Sequence, residues 1–469
     1  MKVHPLILIA ALAIANPVYA VNQTREQKLG KLLFQDINLS FNRNQSCMSC
    51  HALDSIDVPV AQHRTGDDSS VTMTLKPISP GFVDAANVMD GTSVSNGSIV
   101  RKFGSLNAPS VGYAAFSPAF FWDSEEELFF GGQFWNGRAA DLVEQAKGPF
   151  LNPVEMAMPD EWSVIERLKE NRKYRKLFKK LYKIDLAGLR EDSPGVADAY
   201  QALAEAIAAF ERSREFNRFD SKFDFEAAGL TRYNESEQRG ADLFDGRAMC
   251  ALCHTTEGIE GDGTPALLTD FSYDNLGVPA NPQIPGNPDA APGLLANPNL
   301  EAARGEPTPL AETEGRQKVM SLRNIALTAP YMHNGVFKTL EEVVHFYNTR
   351  DVLDRCVDPA DATNPGFGVT CWPEGEFHAT RNTTELGNLG LSPQDEADIV
   401  AYLKTFTDNY PYWGNRFGLH DRNVSKKEKS PFAAYSTPSL PLIPAQGCHP
   451  FQTKAATDSR AKLPPWPRV

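Results

Sequence analysis

Apolar positions recur at helical spacing in a few well-separated stretches. Leu29, Leu32 and Leu33 form one stripe and predict a helix over Glu26–Phe34. Ala199, Leu203, Ala206, Ile207 and Phe210 share a face of a helix from about Val196 to Arg212. Ile399, Leu403 and Phe406 mark the buried side of another, with Ser392 as its N-cap and Pro393 at its first helical position. Over 160–183, Trp162, Ile165, Leu168, Leu177 and Leu181 predict one helix, with Asp160 and Glu161 in its first turn. The Lys and Arg residues crowding its second half read as a solvated face; a docking patch for an acidic protein is the sharper alternative. Elsewhere the period fails. Residues 55–106, rich in Ser, Gly, Asp and Asn, read as surface loop, and 255–317 as a Pro/Gly/Asn-rich loop too long to be idle. A further insert spans 351–380, and the Pro/Ser-rich tail 416–469 reads as an arm over the domains or as partly disordered. Phe116, Phe120, Phe121, Trp122, Phe129, Phe130, Phe134 and Trp135 crowd 112–138, a cluster that favours buried packing over a binding surface.

The helical pattern repeats. Glu26-Gln27-Lys28-Leu29-Gly30 with Leu33-Phe34 is echoed by Glu237-Gln238-Arg239-Gly240 with Leu243-Phe244, a period of about 200 residues. Each half closes on an apolar helix. The expectation is a mostly α protein of two tandem domains, 21–215 and 216–415, with long loop inserts. Residues 1–20 precede them as a cleavable export signal: Lys2, an apolar run from Pro5 to Ala15, and Val18-Tyr19-Ala20 as the cleavage site. No later stretch is apolar enough to span a bilayer, so the chain is expected not to be membrane-spanning. The length of 469 residues allows two or three domains, and the net charge of −13 argues against nucleic acid or anionic membrane as a partner.

The chemistry lies in the cysteines. Cys47-Met48-Ser49-Cys50-His51 offers two thiols one turn apart and an imidazole beside them, which suits covalent attachment of a haem and ligation of its iron. Cys250-Ala251-Leu252-Cys253-His254 repeats the motif, so four of seven cysteines are used this way. A zinc or redox dithiol site is the competing reading. Such thiols are handled in an oxidising compartment, which for a bacterial chain means the periplasm, and there Cys356 and Cys371 are expected to pair while Cys448 stays single. Few of the nine histidines could serve as a distal ligand, and near the first haem only His63 is placed for it. One iron is therefore expected to keep an open face, a condition for peroxide or oxygen chemistry.

Three further stretches carry a resemblance. Phe134-Trp135-Asn136-Gly137-Arg138-Ala139, Gln145-Ala146-Lys147-Gly148-Pro149 with Asn152-Pro153-Val154-Glu155-Met156, and Leu322 to Gly335 followed by Thr339-Leu340-Glu341-Glu342 resemble the active-site run of bacterial di-haem cytochrome c peroxidases and MauG. The resemblance covers roughly 22–410 without the inserts, and implies two cytochrome c-like domains with haems facing their interface. It implies that Glu155 is the distal acid–base residue of the peroxide-binding haem, that Gln145 and Pro149 line that pocket, and that Trp135 relays an electron hole between the haems. Trp135 as plain core packing is the competing reading. Asn107, Thr328 and Pro330 match the ligands of a calcium ion, the last two through backbone carbonyls.

The discriminating position is the sixth ligand of the second haem. Ordinary members of the family have methionine there and MauG-like members tyrosine; this chain has Tyr347. Met332 and His333 are chemically able alternatives, and Tyr347 could also merely pack in its helix. The resemblance then implies an oxidoreductase that uses hydrogen peroxide to reach a high-valent, bis-Fe(IV)-type state and oxidises a protein side chain or another donor. Two alternatives remain open: a peroxidase that detoxifies peroxide with a small c-type cytochrome or cupredoxin as donor, and a di-haem electron-transfer cytochrome. The molecule could be a monomer or a homodimer.

Overall fold

The computed structural model describes residues 23–51, the strands 56–60 and 71–75, and 94, 96–259, 263–286, 288–356, 366–410 and 431–432. The export signal, His63, Cys448 and nearly all of the tail lie outside the described residues. The described chain is mostly helical, and its strands form four two-stranded pairs with no closed sheet.

The helix before the first cysteine motif runs Arg25–Phe34, opened by a capping box in which Thr24 and Gln27 exchange hydrogen bonds. It crosses the helix Gly195–Glu211 at Gly30, where an added Cβ would lie 1.8 Å from the Ala206 carbonyl oxygen. The second half repeats the device. Helix Glu235–Asp245 crosses Pro393–Lys404 at Gly240, where a Cβ would lie 2.0 Å from the Asp398 carbonyl oxygen. The glycine shared by the two sequence echoes is thus the point where two helix backbones touch, and no larger residue fits. Around the first crossing a core gathers from residues of 29–216, including Leu33, Phe34, Ile207 and Phe210; a second gathers from 223–406, including Phe244, Ile399 and Leu403. Phe406 falls just beyond its helix but is fully buried.

The single helix expected over 160–183 is two, Glu161–Glu170 and Arg172–Leu181. Asn171 leaves the helical region and its side chain accepts from the Lys173 amide at 2.9 Å, ending one helix and capping the next. A short polar side chain that hydrogen-bonds its own backbone outweighs an unbroken apolar stripe. The basic residues of the second helix, Lys173, Lys176, Lys179 and Lys180, are exposed, in keeping with a solvated face.

The aromatic stretch is packed, as expected. Its strands Phe121–Asp123 and Leu128–Phe130 form a hairpin; Phe116, Phe129 and Phe130 are buried, and Phe120 stacks on Phe129 at 5.3 Å. Two loop assignments need correction. Ile56–Val60 and Val71–Leu75 pair antiparallel, a ladder within a stretch expected to be loop, where β-branched residues alternate. The 255–317 stretch contains short helices and the strand Tyr273–Asp274, paired with Gln317–Lys318. The insert 351–380 is not peripheral: Cys356 and Cys371 form the expected disulfide, and Trp372 is fully buried among Phe337, Phe346 and Phe367. Of the tail, Phe432 packs on the cluster of Tyr113, Phe116 and Phe219.

Candidate active site

The second cysteine motif opens on a cavity. Cys250 to Leu252 make one 3₁₀ turn, and the His254 amide donates to the Cys250 carbonyl at 2.9 Å. His254 Nδ1 lies 3.0 Å from the Leu268 carbonyl, so Nδ1–H donates there and Nε2 is left with its lone pair. Burial lowers the imidazole to about 4, which keeps it neutral, the form that binds a metal. Cys250, Cys253 and His254 line the cavity with apolar walls from Phe244, Val344 and Leu403. Two thiols, one oriented neutral imidazole and an apolar enclosure suit a covalently held haem.

Tyr347, Met332 and His333 line the same cavity. Tyr347 sits on helix Leu340–Thr349, which Thr339 and Glu342 open with a capping box. Burial is the main cause that raises its phenol above the ordinary range. His333 is already engaged, with Nε2 2.7 Å from Glu376 Oε2.

At the first motif, Cys47–Cys50 form one helical turn and His51 follows, its ring 6.5 Å from that of Phe34. Burial raises the Cys47 thiol, followed by the Glu211 carboxylate and, more weakly, Glu155, so both carboxyls lie within electrostatic reach of this site. Gln145 and Pro149 stand on helix Leu142–Leu151. Pro149 has no N–H to return to the Gln145 carbonyl, and its own carbonyl accepts from the Met156 amide at 3.1 Å, which draws the Glu155 turn back onto the helix. Asn152 Nδ2 holds Glu155 Oε1 at 2.6 Å. Burial raises the Glu155 carboxyl, partly offset by that hydrogen bond and by Arg138.

The two halves share more than the sequence reading found. Phe134 and Met332 are left-handed, as are Gly137 and Gly335, and bridges Gln133↔Ala139 and Tyr331↔Phe337 close both turns. Each turn leads into a ten-residue helix, Leu142–Leu151 or Leu340–Thr349. Trp135 and His333 hold equivalent places in the two turns, and their rings meet edge to face at 6.3 Å. Pro149 and Tyr347 hold equivalent places in the two helices. The same backbone position thus carries a residue with no donor atom in one half and a phenol in the other. An Asn-Gly pair in each turn was the available signal.

Trp135 also lines the second cavity, and its Nε1–H donates to the Asn107 carbonyl at 2.8 Å. Asn107 is buried; Nδ2 donates to the carbonyls of Pro330 at 2.7 Å and Met332 at 3.2 Å, while Oδ1 has no partner. Rotating this amide by half a turn would bring Oδ1 beside the Pro330 and Met332 carbonyl oxygens, hard donors of the kind that suit a hard cation. Thr328 directs its hydroxyl to Ile325 O at 3.2 Å, within its own turn. Sequence reasoning missed Glu211, 4% exposed, with Oε2 unpartnered and its carboxyl pushed up to about 8 by burial. Its place one turn after Ile207 on the buried stripe was the clue.

Comparison with known proteins points the same way. The profile described as di-haem cytochrome c peroxidase matches residues 24–231. The methylamine utilization protein MauG of Paracoccus denitrificans is 36% identical over 390 residues, 81% of this chain and 88% of that one. The cytochrome c551 peroxidase of Nitrosomonas europaea is 30% identical over 322 residues, 68% and 71% of the two chains. The diheme peroxidase BthA from Burkholderia thailandensis superposes with a TM-score of 0.63 at 26% identity, covering 82% of this chain and 87% of that one.

Proposed function

The chain belongs to the di-haem cytochrome c peroxidase family, and from that premise we propose that it is a MauG-like member that oxidises a protein side chain or another surface donor. It is a peroxidase-type oxidoreductase with two c-type haems. Cys47, Cys50 and His51 would hold one haem, at the site where hydrogen peroxide would react. Cys250, Cys253 and His254 would hold the other, with Tyr347 as the residue that would close it. The observation that carries this reading is Tyr347 in the wall of the His254 cavity. The equivalence of Tyr347 with Pro149 supports an open face at one site and a closed one at the other.

When bound, the haems would supply the redox chemistry for the two-electron reduction of peroxide. The chain's own groups do the rest. Glu155 takes the proton from the inner peroxide oxygen and returns it to the outer one, and its raised pKa makes it a better base near neutral pH. Asn152 keeps Oε1 in place for that transfer. Trp135 carries the hole between the sites. Its N–H is bound by an amide carbonyl, too weak a base to accept a proton, so the indole can be oxidised and restored without losing it.

We read 21–215 and 216–415 as tandem cytochrome c-like domains with haems facing their interface; the duplicated glycine crossing, the two cores and the Trp135–His333 contact support this. Export to the periplasm fits the haem motifs, and no helix among the described residues is long and apolar enough to cross a membrane.

The runner-up is detoxification of peroxide with a small c-type cytochrome or cupredoxin as donor, favoured by the net charge of −13, which would attract a cationic partner. Stoichiometric peroxide added to the fully oxidised protein separates the readings. The expected result is a persistent oxidised spectrum without prior reduction, and slow turnover of reduced cytochrome c. A requirement for prior reduction together with fast cytochrome turnover would select the runner-up, and no reaction at all would leave an electron carrier.

Calcium is proposed at Asn107 Oδ1 with the carbonyls of Thr328 and Pro330, as the family resemblance implies; the unpartnered buried Oδ1 and the Pro330 carbonyl beside the same amide support two of these ligands, and the Met332 carbonyl lies there as well. Chelation is expected to lower the melting temperature, since a ligand at about 100 times its Kd adds roughly 2.7 kcal/mol. Metal analysis finding no calcium, with melting indifferent to chelator, would remove the ion from the account.

A further inference from the structure

Beyond its disulfide, the 351–380 insert turns inward. Gly375 packs so closely on Gly277 that a Cβ would lie 2.7 Å from the Gly277 carbonyl oxygen, and the Glu376 amide donates to Val278 O at 3.0 Å. This return delivers Glu376 and Phe377 to the wall of the His254 cavity. The carboxylate of Glu376 is held at both oxygens, Oε2 by His333 Nε2 at 2.7 Å and Oε1 by Asn334 Nδ2 at 3.0 Å. The side chains of His333 and Glu376 are 7% and 8% exposed. The His333 ring in turn stands edge-on to Trp135 at 6.3 Å.

We propose that Glu376 is a positioning residue of the relay, fixing the His333 ring against Trp135 and setting a negative charge in the wall of the second haem cavity. The inference rests on the assignment of that cavity to the second haem and of Trp135 to the relay. A carboxylate bonded to an imidazole fixes its orientation, as it does around metal-bound histidines. The charge matters because each one-electron oxidation in this cavity adds a positive charge. The indole proton has no base to leave to, so the charge stays on the ring. A unit charge about 10 Å away, at an effective dielectric near 20, shifts such an equilibrium by about tenfold. Asp274, Glu385 and Lys318 also line the cavity, but Glu376 is the one bonded to the residue that touches Trp135. The insert thus has a purpose in the site and is more than a surface decoration.

The test is the midpoint potential of each haem in the full-length holoprotein, measured spectroelectrochemically for the wild type, Glu376→Gln and Glu376→Asp. Glu376→Gln keeps the shape and removes the charge. It should raise the potential of the haem at His254 by about 59 mV, the tenfold shift for a one-electron couple, and leave the haem at His51 unmoved. Glu376→Asp should recover at least half of the difference. Wild-type potentials in a doubly loaded Glu376→Gln protein would overturn the proposal, as would an equal shift at both haems. If Glu376→Gln fails to load its second haem, the aspartate variant decides, because it retains the charge: a potential displaced by the full tenfold would count against the proposal. No peroxide enters this measurement, so a wild type inert to peroxide would refute the proposed function and leave this result standing.

Discussion

Replacing Tyr347 with methionine is expected to raise the potential of the haem at His254 by on the order of 0.1 V or more, within the roughly 0.8 V span open to axial-ligand tuning. An anionic phenolate stabilises the oxidised metal, whereas a neutral thioether favours the reduced one. Burial raises the phenol of Tyr347, so on its own it would stay protonated in this cavity. It would become a ligand only where the charge of a bound iron reverses that preference. Methionine should therefore shorten the life of the state formed with peroxide by at least about tenfold, since a 59 mV change in a one-electron couple already corresponds to that factor. The readings are the midpoint potential, the resting spectrum and the decay rate after one equivalent of peroxide. A variant matching the wild type in all three would mean that Tyr347 only packs in its helix. Met332 would then be the next ligand to consider, because it lines the same cavity and His333 is tied to Glu376.

Glu155→Gln should slow the reaction with peroxide by roughly 10²–10⁴-fold, the usual contribution of a placed acid–base group, with both haems still attached. The amide preserves shape and can still meet Asn152, but it cannot take a proton from peroxide. The pH dependence follows from the raised carboxyl. The base must be ionised to accept a proton, so the wild-type rate should fall as pH drops through the raised pKa. The glutamine variant should lose that limb. Because the Asn152 hydrogen bond lowers this pKa, Asn152→Ala should move the fall to higher pH. Stopped-flow mixing with peroxide across pH reads all three. A glutamine variant reacting at the wild-type rate, with the same acid limb, would place the proton transfer elsewhere.

Much of the site was legible because it is written locally. Five contiguous residues present both thiols and the imidazole, and the apolar stripes mark the helices that frame them. The glycine in each echo was visible, although its reason was not: Gly30 and Gly240 are where backbones of distant helices touch. Asn171 defeated the helical pattern through a single side-chain hydrogen bond. The burial of Glu211 was marked only by its position on an apolar stripe, and nothing near Glu376 in the sequence pointed to His333.

By itself the sequence determined that this chain carries two C-x-x-C-H motifs suited to haem, that a helical pattern repeats with a period of about 200 residues, and that its second half carries a tyrosine where a methionine could stand. These are matters of covalent order and of a 3.6-residue period, which need no knowledge of the rest of the molecule. Only the tertiary structure decided that Tyr347 shares a cavity with His254, that Trp135 meets His333, and that an insert brings a carboxylate to that contact. Each of these joins residues far apart along the chain, and their proximity comes from packing two cores and their loops together, which no local pattern encodes.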